Sequence, residues 1–583
     1  MQFLLTALNA KYIHSNPGLY SLRRFTKENA VHVRIAEYTI NNRTEEILAD
    51  LYRRKPDVIG FSCYIWNWDM MQELFTELSK LLPGLPIWLG GPEVSYDAEK
   101  ILERYPMITG IMVGEGEETF SEVLDYYVNG KKNGKKLSDI AGLVLPEGRT
   151  AERRPLSLTE IPFLYDGTDD FKNRIIYYES QRGCPFRCSY CLSSIDKTVR
   201  FRDIDVVKKE LQYFLDNRVE QVKFVDRTFN CNHAHAVAIW KYILEHDNGV
   251  TNFHFEIAGD ILDEEELVIL RAMRPGLVQL EIGVQSTNPE TLREIRRVMD
   301  IEKLKKVVAA IREGNNVHQH LDLIAGLPYE GYESFARSFD DVYAMKPDQL
   351  QLGFLKVLKG SYMQEKASEY GLVYTEKPPY EVLYTRWLPY ADVCRLKRIE
   401  EMVELYYNSN QFTHTLPFLE KAFDGPFAMY EALADFYEEE GYFRETPSRI
   451  YRYQVLLSFA EKWDGAHLPL YRELLTFDLY LRENAKSRPD FACDRDAFKK
   501  EITDFYKKEE EERHFLPDYE EYDSRQLARM THIEPFRYPV WDRELPEKPD
   551  ADAGTEIAGY VLFDYKNRSP LNHEARIVVM ANL

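Results

Sequence analysis

At 583 residues the chain is too long for one ordinary hydrophobic core, so two to four domains are expected. Apolar residues at 44% and charged residues at 29% describe a globular protein, and a net charge of −22 works against non-specific binding to nucleic acid or anionic lipid. The first nine residues lack the basic and long apolar regions of a signal peptide, and no apolar run approaches a membrane span. Four of the cysteines, Cys63, Cys231, Cys394 and Cys493, are scattered singly. They form no disulfide framework and suit a reducing compartment, so a cytoplasmic chain is expected.

Residues 1–145 alternate short apolar strands with amphipathic helices. Strands are expected at Gln2–Leu8, His32–Tyr38, Asp57–Cys63, Pro86–Gly90 and Gly110–Val113. Asp69–Leu82 fits a helix, with Met70, Leu74, Leu78 and Leu81 near helical spacing. Such alternation argues for a parallel sheet covered by helices on both faces, with ligands at the carboxyl ends of its strands. Glycines fall there: Gly90-Gly91-Pro92-Glu93 after the fourth strand and Gly114-Glu115-Gly116-Glu117-Glu118 after the fifth. Glycine lets the backbone approach a ligand closely. The acidic residues make a poor phosphate cradle, so a large neutral or cationic ligand is favoured over a nucleotide. Plain turn punctuation is the competing reading.

Residues 146–173 hold Pro146, Gly148, Arg149, Arg153, Arg154 and Pro155, lose the apolar periodicity and read as a linker. Residues 174–370 resume the βα alternation. Strands are expected at Arg174–Glu179, Gln221–Val225, Asn252–Ile257, Val278–Val284, His320–Ala325 and Gln349–Leu355, with helices such as Asp205–Asn217 and Pro289–Arg297 between them. Six such units suit a partial (β/α)6 barrel of the TIM type, which carries its chemistry at the carboxyl ends of its strands. Residues 371–583 differ. They hold 41 acidic and 28 basic residues, a net of −13, where a tail built to grip RNA is normally basic. Ala391–Tyr407 fits a helix, Lys507–Arg513 reads as a solvated helix face, and Tyr560–Tyr565 with Ala575–Met580 reads as a closing hairpin. The fold class is therefore α/β: a Rossmann-like parallel sheet, a partial barrel, and a mainly helical C-terminal domain with a terminal β-hairpin.

The sharpest signal is the run Gln-Arg-Gly-Cys-Pro-Phe-Arg-Cys-Ser-Tyr-Cys, which places Cys184, Cys188 and Cys191 directly after the first barrel strand. Three thiolates on one loop can hold three irons of a [4Fe–4S] cluster and leave the fourth iron open. A structural zinc site wants four closed ligands, and a ferredoxin run brings more cysteines nearby. Cys231, Cys394 and Cys493 are isolated in sequence, which argues against a second cluster.

This CxxxCxxC, with Tyr190 as the aromatic before the last cysteine, resembles the signature of the radical S-adenosylmethionine (SAM) superfamily. The Gly-Gly-Pro-Glu and Gly-Glu-Gly-Glu-Glu-Thr-Phe segments look like the N-terminal domain of the cobalamin-dependent radical SAM enzymes. Phe224-Val225-Asp226, Gly283-Val284-Gln285-Ser286 and Gly326-Leu327-Pro328 fit the same pattern. The resemblance covers the first two domains; the last looks like an uncharacterised extension.

That resemblance implies cofactors, residues to hold them and a reaction. SAM would be chelated by the open iron, and its sulfonium bond cleaved by an electron from the cluster, giving methionine and a 5′-deoxyadenosyl radical. Tyr190, Ser193, Glu256, Asp260, Glu281, Gln285 and Ser286 are candidates to hold SAM, Glu281 and Gln285 sharing a face by strand period. Ser62, Tyr64, Gly90, Gly91, Glu93, Gly114, Glu115 and Glu117 are candidates for cobalamin. The Asp-x-His-x-x-Gly pattern whose histidine ligates cobalt is absent, since the chain reads Asn9-Ala10-Lys11-Tyr12-Ile13-His14. His14 is read instead as a loop histidine bonded to backbone. The implied reaction is radical methyl transfer to an unactivated carbon. Rearrangement, ring contraction or cyclisation without methyl transfer, RNA modification, and a non-catalytic cobalamin or redox sensor are the alternatives. The tail's charge favours a small molecule, lipid or peptide over RNA, and a reductase, flavodoxin or ferredoxin would supply electrons.

Overall fold

The computed structural model describes residues 1–130, 134–165, 171–195, 198–492, 494–542, 545 and 557–583, so Cys493 lies outside the described residues. The chain divides into two compact units. One holds residues 1–317, 324–331 and 353–390, the other 318–323, 332–352 and 391–583.

In the first unit, β1 (Phe3–Asn9), β2 (Val33–Thr39), β3 (Val58–Ser62), β4 (Ile87–Gly90) and β5 (Ile108–Met112) run parallel in the order β2-β1-β3-β4-β5. Side chains alternate along each strand, so β1 turns Phe3, Leu5 and Ala7 to one core and Leu4 and Leu8 to the other. Helices Thr44–Arg54, Trp68–Leu81 and Ala98–Arg104 cover the second core through Ile47, Leu51, Met71, Leu74 and Ile101. Helices Pro17–Phe25 and Gly116–Asp125 cover the first through Leu19, Phe120 and Val123. Each such fully buried side chain contributes about 1.5–3 kcal/mol, which makes the sheet a rigid platform for the loops at its carboxyl edge.

The polar stretch that reads as a linker is tied down at several of its described residues. Its start pairs as sheet edge, β6 (Leu143–Leu145) antiparallel to β5 and to β7 (Gly148–Arg149). Arg153 donates to Glu118 at 3.0 Å, Glu122 at 2.9 Å and Thr119 at 2.8 Å. Leu156, Leu158 and Ile161 bury themselves with Phe25 packed against them.

Next come β8 (Ile176–Tyr178), the antiparallel pair β9 (Gln181–Arg182) and β10 (Arg200–Phe201), then β11 (Gln221–Phe224), β12 (Asn252–Ile257) and β13 (Val278–Gln285). β8, β11, β12 and β13 are parallel neighbours in that order, with helices Ile204–Asp216, His233–Glu245 and Glu264–Ala272 in the connections. Each strand has an apolar and a polar face. Phe253, Phe255 and Ile257 of β12 are buried, and Phe224, Phe229, Trp240 and Phe255 pack ring to ring. His254 and Glu256 alternate with them on the opposite face. β14 (His318–Ala325), helix Tyr332–Tyr343 and β15 (Gln349–Phe354) follow in chain order, completing six strands, and the short pair β16 (Val373–Tyr374) and β17 (Val382–Tyr384) is antiparallel.

The second unit is mainly helical. Its helix Leu468–Arg482 is buried on every side from Leu470 to Leu481, the mark of a central core helix. The expected helix Ala391–Tyr407 is regular over Tyr390–Met402 and ends in a wider π turn, Val403–Asn408. The expected hairpin gains a partner: β18 (Thr531–Phe536) pairs with β19 (Gly559–Arg568), which pairs with β20 (Ala575–Met580), all antiparallel. Pro535 disguises β18, because proline breaks the usual strand signature. Lys507–Arg513 is a solvated helix face except at Glu509. That residue is 2% exposed and accepts from the Phe515 and Leu516 amides at 3.0 and 3.1 Å. No helix among the described residues is long and apolar enough to cross a membrane.

Candidate functional site

At the carboxyl edge of the N-terminal sheet a cleft of about 780 Å³ runs inward between the strands and the helices Pro17–Phe25 and Gly116–Asp125. Its volume falls in the range of cofactor sites. Ser62, Tyr64, Gly90, Gly91, Gly114, Glu115 and Glu117 line its mouth, and Leu5, Gly60, Trp88 and Phe120 line its depth. The glycines shape it. A Cβ on Gly91, at φ +111°, would lie 2.4 Å from the Cys63 carbonyl oxygen, whereas one on Gly114 would meet nothing within 4 Å and one on Gly90 nothing nearer than 3.8 Å. Side chains at positions 90 and 114 would therefore fill space that the glycines leave to a ligand. A cleft that is apolar at depth and glycine-rimmed at the mouth fits a large cofactor with a tail.

The acidic rim does not present free negative charge. Glu115 pairs with Arg200 and, at 3.5 Å, with Arg182, and it accepts from the Leu156 amide at 2.7 Å. Burial works against its carboxylate, but Arg200, that amide and Arg182 outweigh it and hold the pKa below the usual range. Glu117 pairs with Arg182 at 3.0 Å and accepts from Ser21 at 3.3 Å. The expectation of a neutral or cationic ligand, drawn from these glutamates, loses its basis. Glu93 is placed apart from the other candidates. It is buried, accepts from Tyr380 and pairs with Lys359 at 2.9 Å, and Lys359 also reaches Asp97 at 3.0 Å. His14 bonds the Tyr177 hydroxyl at 2.5 Å through Nδ1, not backbone, and burial lowers its pKa.

The cysteine loop is the excursion between β9 and β10. Gly183, at φ +97°, lets the two backbones close, since a Cβ there would sit 2.1 Å from the Thr198 carbonyl oxygen. Cys184 and Cys188 are buried and Cys191 is half-buried. The Cys191 amide bonds the Cys188 carbonyl at 3.1 Å, and Cys184 Sγ lies 3.5 Å from Thr228 Oγ1. Among the described residues, the group of three potential ligands whose atoms all lie within 4.8 Å of one another is His233, Asp263 and Glu266, a helix-cap cluster with Glu266 buried. Three thiols on one short loop with no fourth cysteine in it fit a cluster with one open iron better than a closed zinc site. Burial raises the Cys184 pKa, with the Thr228 hydroxyl opposing.

The strand-end candidates divide. Glu281 accepts from Lys223 at 3.3 Å and bonds His254 at 2.9 Å, and its register partner on β12 is Glu256. This places ionisable groups of three strands on one face. Gln285 breaks the expected alternation: its φ of +76° takes it out of extended geometry, and Val284 and Gln285 are both buried. Asp260 accepts from the Asp300 amide at 3.1 Å and Ser286 from the Asn288 amide at 3.0 Å, so both brace turns. Ser193 lies in the short turn Leu192–Ser194, and Tyr190 is packed under Arg297, 3.4 Å from its Nη1.

Two contributors lie inside segments already singled out, but nothing in the sequence shows the roles they take. Arg182, two residues before Cys184, joins the cysteine loop to the glycine loop of the sheet through Glu117 and Glu115. Asp226, fully buried at the end of β11, accepts from the Ser180 hydroxyl at 2.5 Å and from the Ser180 and Gln181 amides at 2.8 and 3.0 Å. It fixes the strand that delivers the cysteines. Burial pushes its pKa up to about 7.

Known protein families match successive stretches of the chain. The B12 binding domain family matches residues 4–124, the Radical SAM superfamily residues 178–342, and a family described as a protein of unknown function (DUF4080) residues 368–562. The cobalamin-dependent radical SAM methyltransferase TokK of Streptomyces tokunonensis is 26% identical over 359 residues, covering 56% of this chain and 51% of its own. The chain thus spans about half the length of that curated relative. Two solved structures share the fold. The radical SAM methyltransferase TsrM of Kitasatospora setae, with cobalamin and a [4Fe–4S] cluster bound, has a TM-score of 0.53 at 18% identity over 64% of this chain and 76% of that one. The cobalamin-dependent SAM radical enzyme OxsB, with aqua-cobalamin and SAM bound, has a TM-score of 0.54 at 16% identity over 82% and 78%.

Proposed function

We infer the function of this chain from the family to which it belongs, the cobalamin-dependent radical SAM enzymes, whose cofactors are cobalamin, a [4Fe–4S] cluster and SAM. We propose that it transfers a methyl group from SAM to an unactivated carbon of a small molecule. The observation that carries this reading is the coupling of two sites in one unit: the glycine-rimmed cleft and the cysteine loop meet at Arg182. When bound, the cluster with SAM supplies an oxidant for a C–H bond and cobalamin supplies a methyl carrier.

The chain's own residues hold, orient and exclude water. Cys184, Cys188 and Cys191 are the cluster ligands. Gly90 and Gly114 keep the cleft open to cobalamin, Gly91 lets the loop close on the Cys63 carbonyl, and Ser62 and Tyr64 line the mouth. Glu115 and Glu117 act through Arg182 and Arg200, keeping the two loops in register. Lys223, His254, Glu256 and Glu281 give the strand face charges suited to a polar substrate or to SAM. That face supports a polar small molecule over a lipid.

Product analysis tests the reading. The anaerobically reconstituted chain, given its substrate, is expected to form S-adenosylhomocysteine and 5′-deoxyadenosine together, and C184A/C188A/C191A neither. Deoxyadenosine without S-adenosylhomocysteine would replace methyl transfer by rearrangement or cyclisation.

A further inference from the structure

Arg297 follows the helix Pro289–Glu294 and sends its guanidinium to the cysteine loop. Nη1 donates to Cys188 Sγ at 3.7 Å and to Tyr190 Oη at 3.4 Å, and Nη2 donates to the Gly283 carbonyl. Nε is buried without a hydrogen-bond partner. The same turn grips the loop through its main chain, the Ser189 amide donating to the Ile295 carbonyl at 2.9 Å. A buried guanidinium that faces a thiol and a phenol lacks the counter-ion that buried charges normally have. The Cys188 sulfur, once it ligates iron in a cluster of net negative charge, would supply it.

We propose that Arg297 is a positioning residue that sets the reduction potential of the cluster held by the cysteine loop, an inference that rests on the cluster assignment above. Cluster potentials follow net charge and hydrogen bonds to the ligand sulfurs. Reduction adds one electron, from a low-potential one-electron reductant such as dithionite; no bond forms or breaks and no proton moves. The reduced cluster is more negative by one charge, so a fixed cation on a ligand sulfur stabilises it over the oxidised form. Arg297 therefore raises the potential. In sequence it stands 109 residues from Cys188, outside every motif.

The test is a redox titration of the full chain, reconstituted with iron and sulfide and followed by electron paramagnetic resonance without SAM. R297Q is expected to keep its iron and to shift the one-electron equilibrium at least tenfold toward the oxidised form, about 59 mV per tenfold. R297K keeps the charge but loses the forked donors, so its potential falls between the two. An unmoved potential in R297Q with full iron content overturns the proposal. So does a variant whose SAM affinity alone falls, which would make Arg297 an anchor for the SAM carboxylate. Should R297Q hold no iron, R297K decides: a lowered potential supports the proposal and a wild-type one overturns it. A wild-type chain that takes up no iron rejects the cluster assignment itself.

Discussion

Replacing Lys359 by Met tests how the glycine loop is held. The lysine sits 2.9 Å from Glu93 and 3.0 Å from Asp97, with side-chain exposures of 17%, 5% and 29% for the three. Methionine keeps the apolar stem, so little packing is lost. Breaking a buried ion pair costs about 3–5 kcal/mol because one charge stays behind. Tyr380 still donates to Glu93 and Asp97 is partly solvated, so about 3 kcal/mol is expected. The cost depends on pH. Burial raises the Glu93 pKa, with Tyr380 and Lys359 opposing. A carboxyl with a raised folded-state pKa binds more protons folded than unfolded between the two values, so stability falls as pH rises through that window. Removing Lys359 raises the folded value further and widens the window. The loss should thus be largest at about pH 8 and shrink at about pH 5. Denaturant midpoints at both pH values measure it, with fluorescence from Trp68, whose ring lies 5.7 Å from the Lys359 nitrogen. Adding E93Q removes the stranded charge and should restore most of the stability. An equal loss at both pH values, or a double variant no better than K359M, would refute the account.

Gly91→Ala should lower the unfolding midpoint and weaken cobalamin uptake. Its backbone is at φ +111° and the new Cβ meets the Cys63 carbonyl at 2.4 Å, about 1–3 kcal/mol of strain with a similar cost for the clash; an unchanged midpoint would contradict this. Asp226→Asn should flatten one component of the pH–stability curve. With a folded pKa near 7 and an unfolded value of about 3.9, the wild type binds more protons folded between those values and loses stability as pH rises across them. Identical slopes for wild type and variant would show that Asp226 is not the group responsible.

The parts of the site legible in the sequence are those whose chemistry is local. Three cysteines on one loop and two glycine turns after strands announce themselves by spacing, and the cleft gathers nearly all the N-terminal candidates. Glu93 escapes that logic because its carboxylate is taken by Tyr380, 287 residues away, and by Lys359. The acidic rim misleads for the same reason, since Arg182 and Arg200 neutralise it only once the fold brings them together. Gln285 shows the limit of periodicity: a single residue at positive φ ends the alternation that a strand pattern assumes. β18 is hidden because Pro535 weakens its pattern and its partner strand begins 23 residues after its end.

The bound connector bears on how such enzymes can be recombined. Between the two cofactor sites, Leu156 gives its amide to Glu115 at 2.7 Å and its carbonyl to Arg200 at 2.7 Å, and Leu158 gives its carbonyl to Arg202 at 2.6 Å. Further on, Arg174 meets Glu37 at 2.6 Å. Arginines after the connector are spent on carboxylates of the first sheet, and the connector's own backbone is held from both sides. A chimera that exchanged the N-terminal sheet at residue 150 would inherit Arg153, Arg174, Arg182 and Arg200 without the carboxylates they pair with. The heritable module is the pair of folds with the splint between them, and neither half is free to be traded alone.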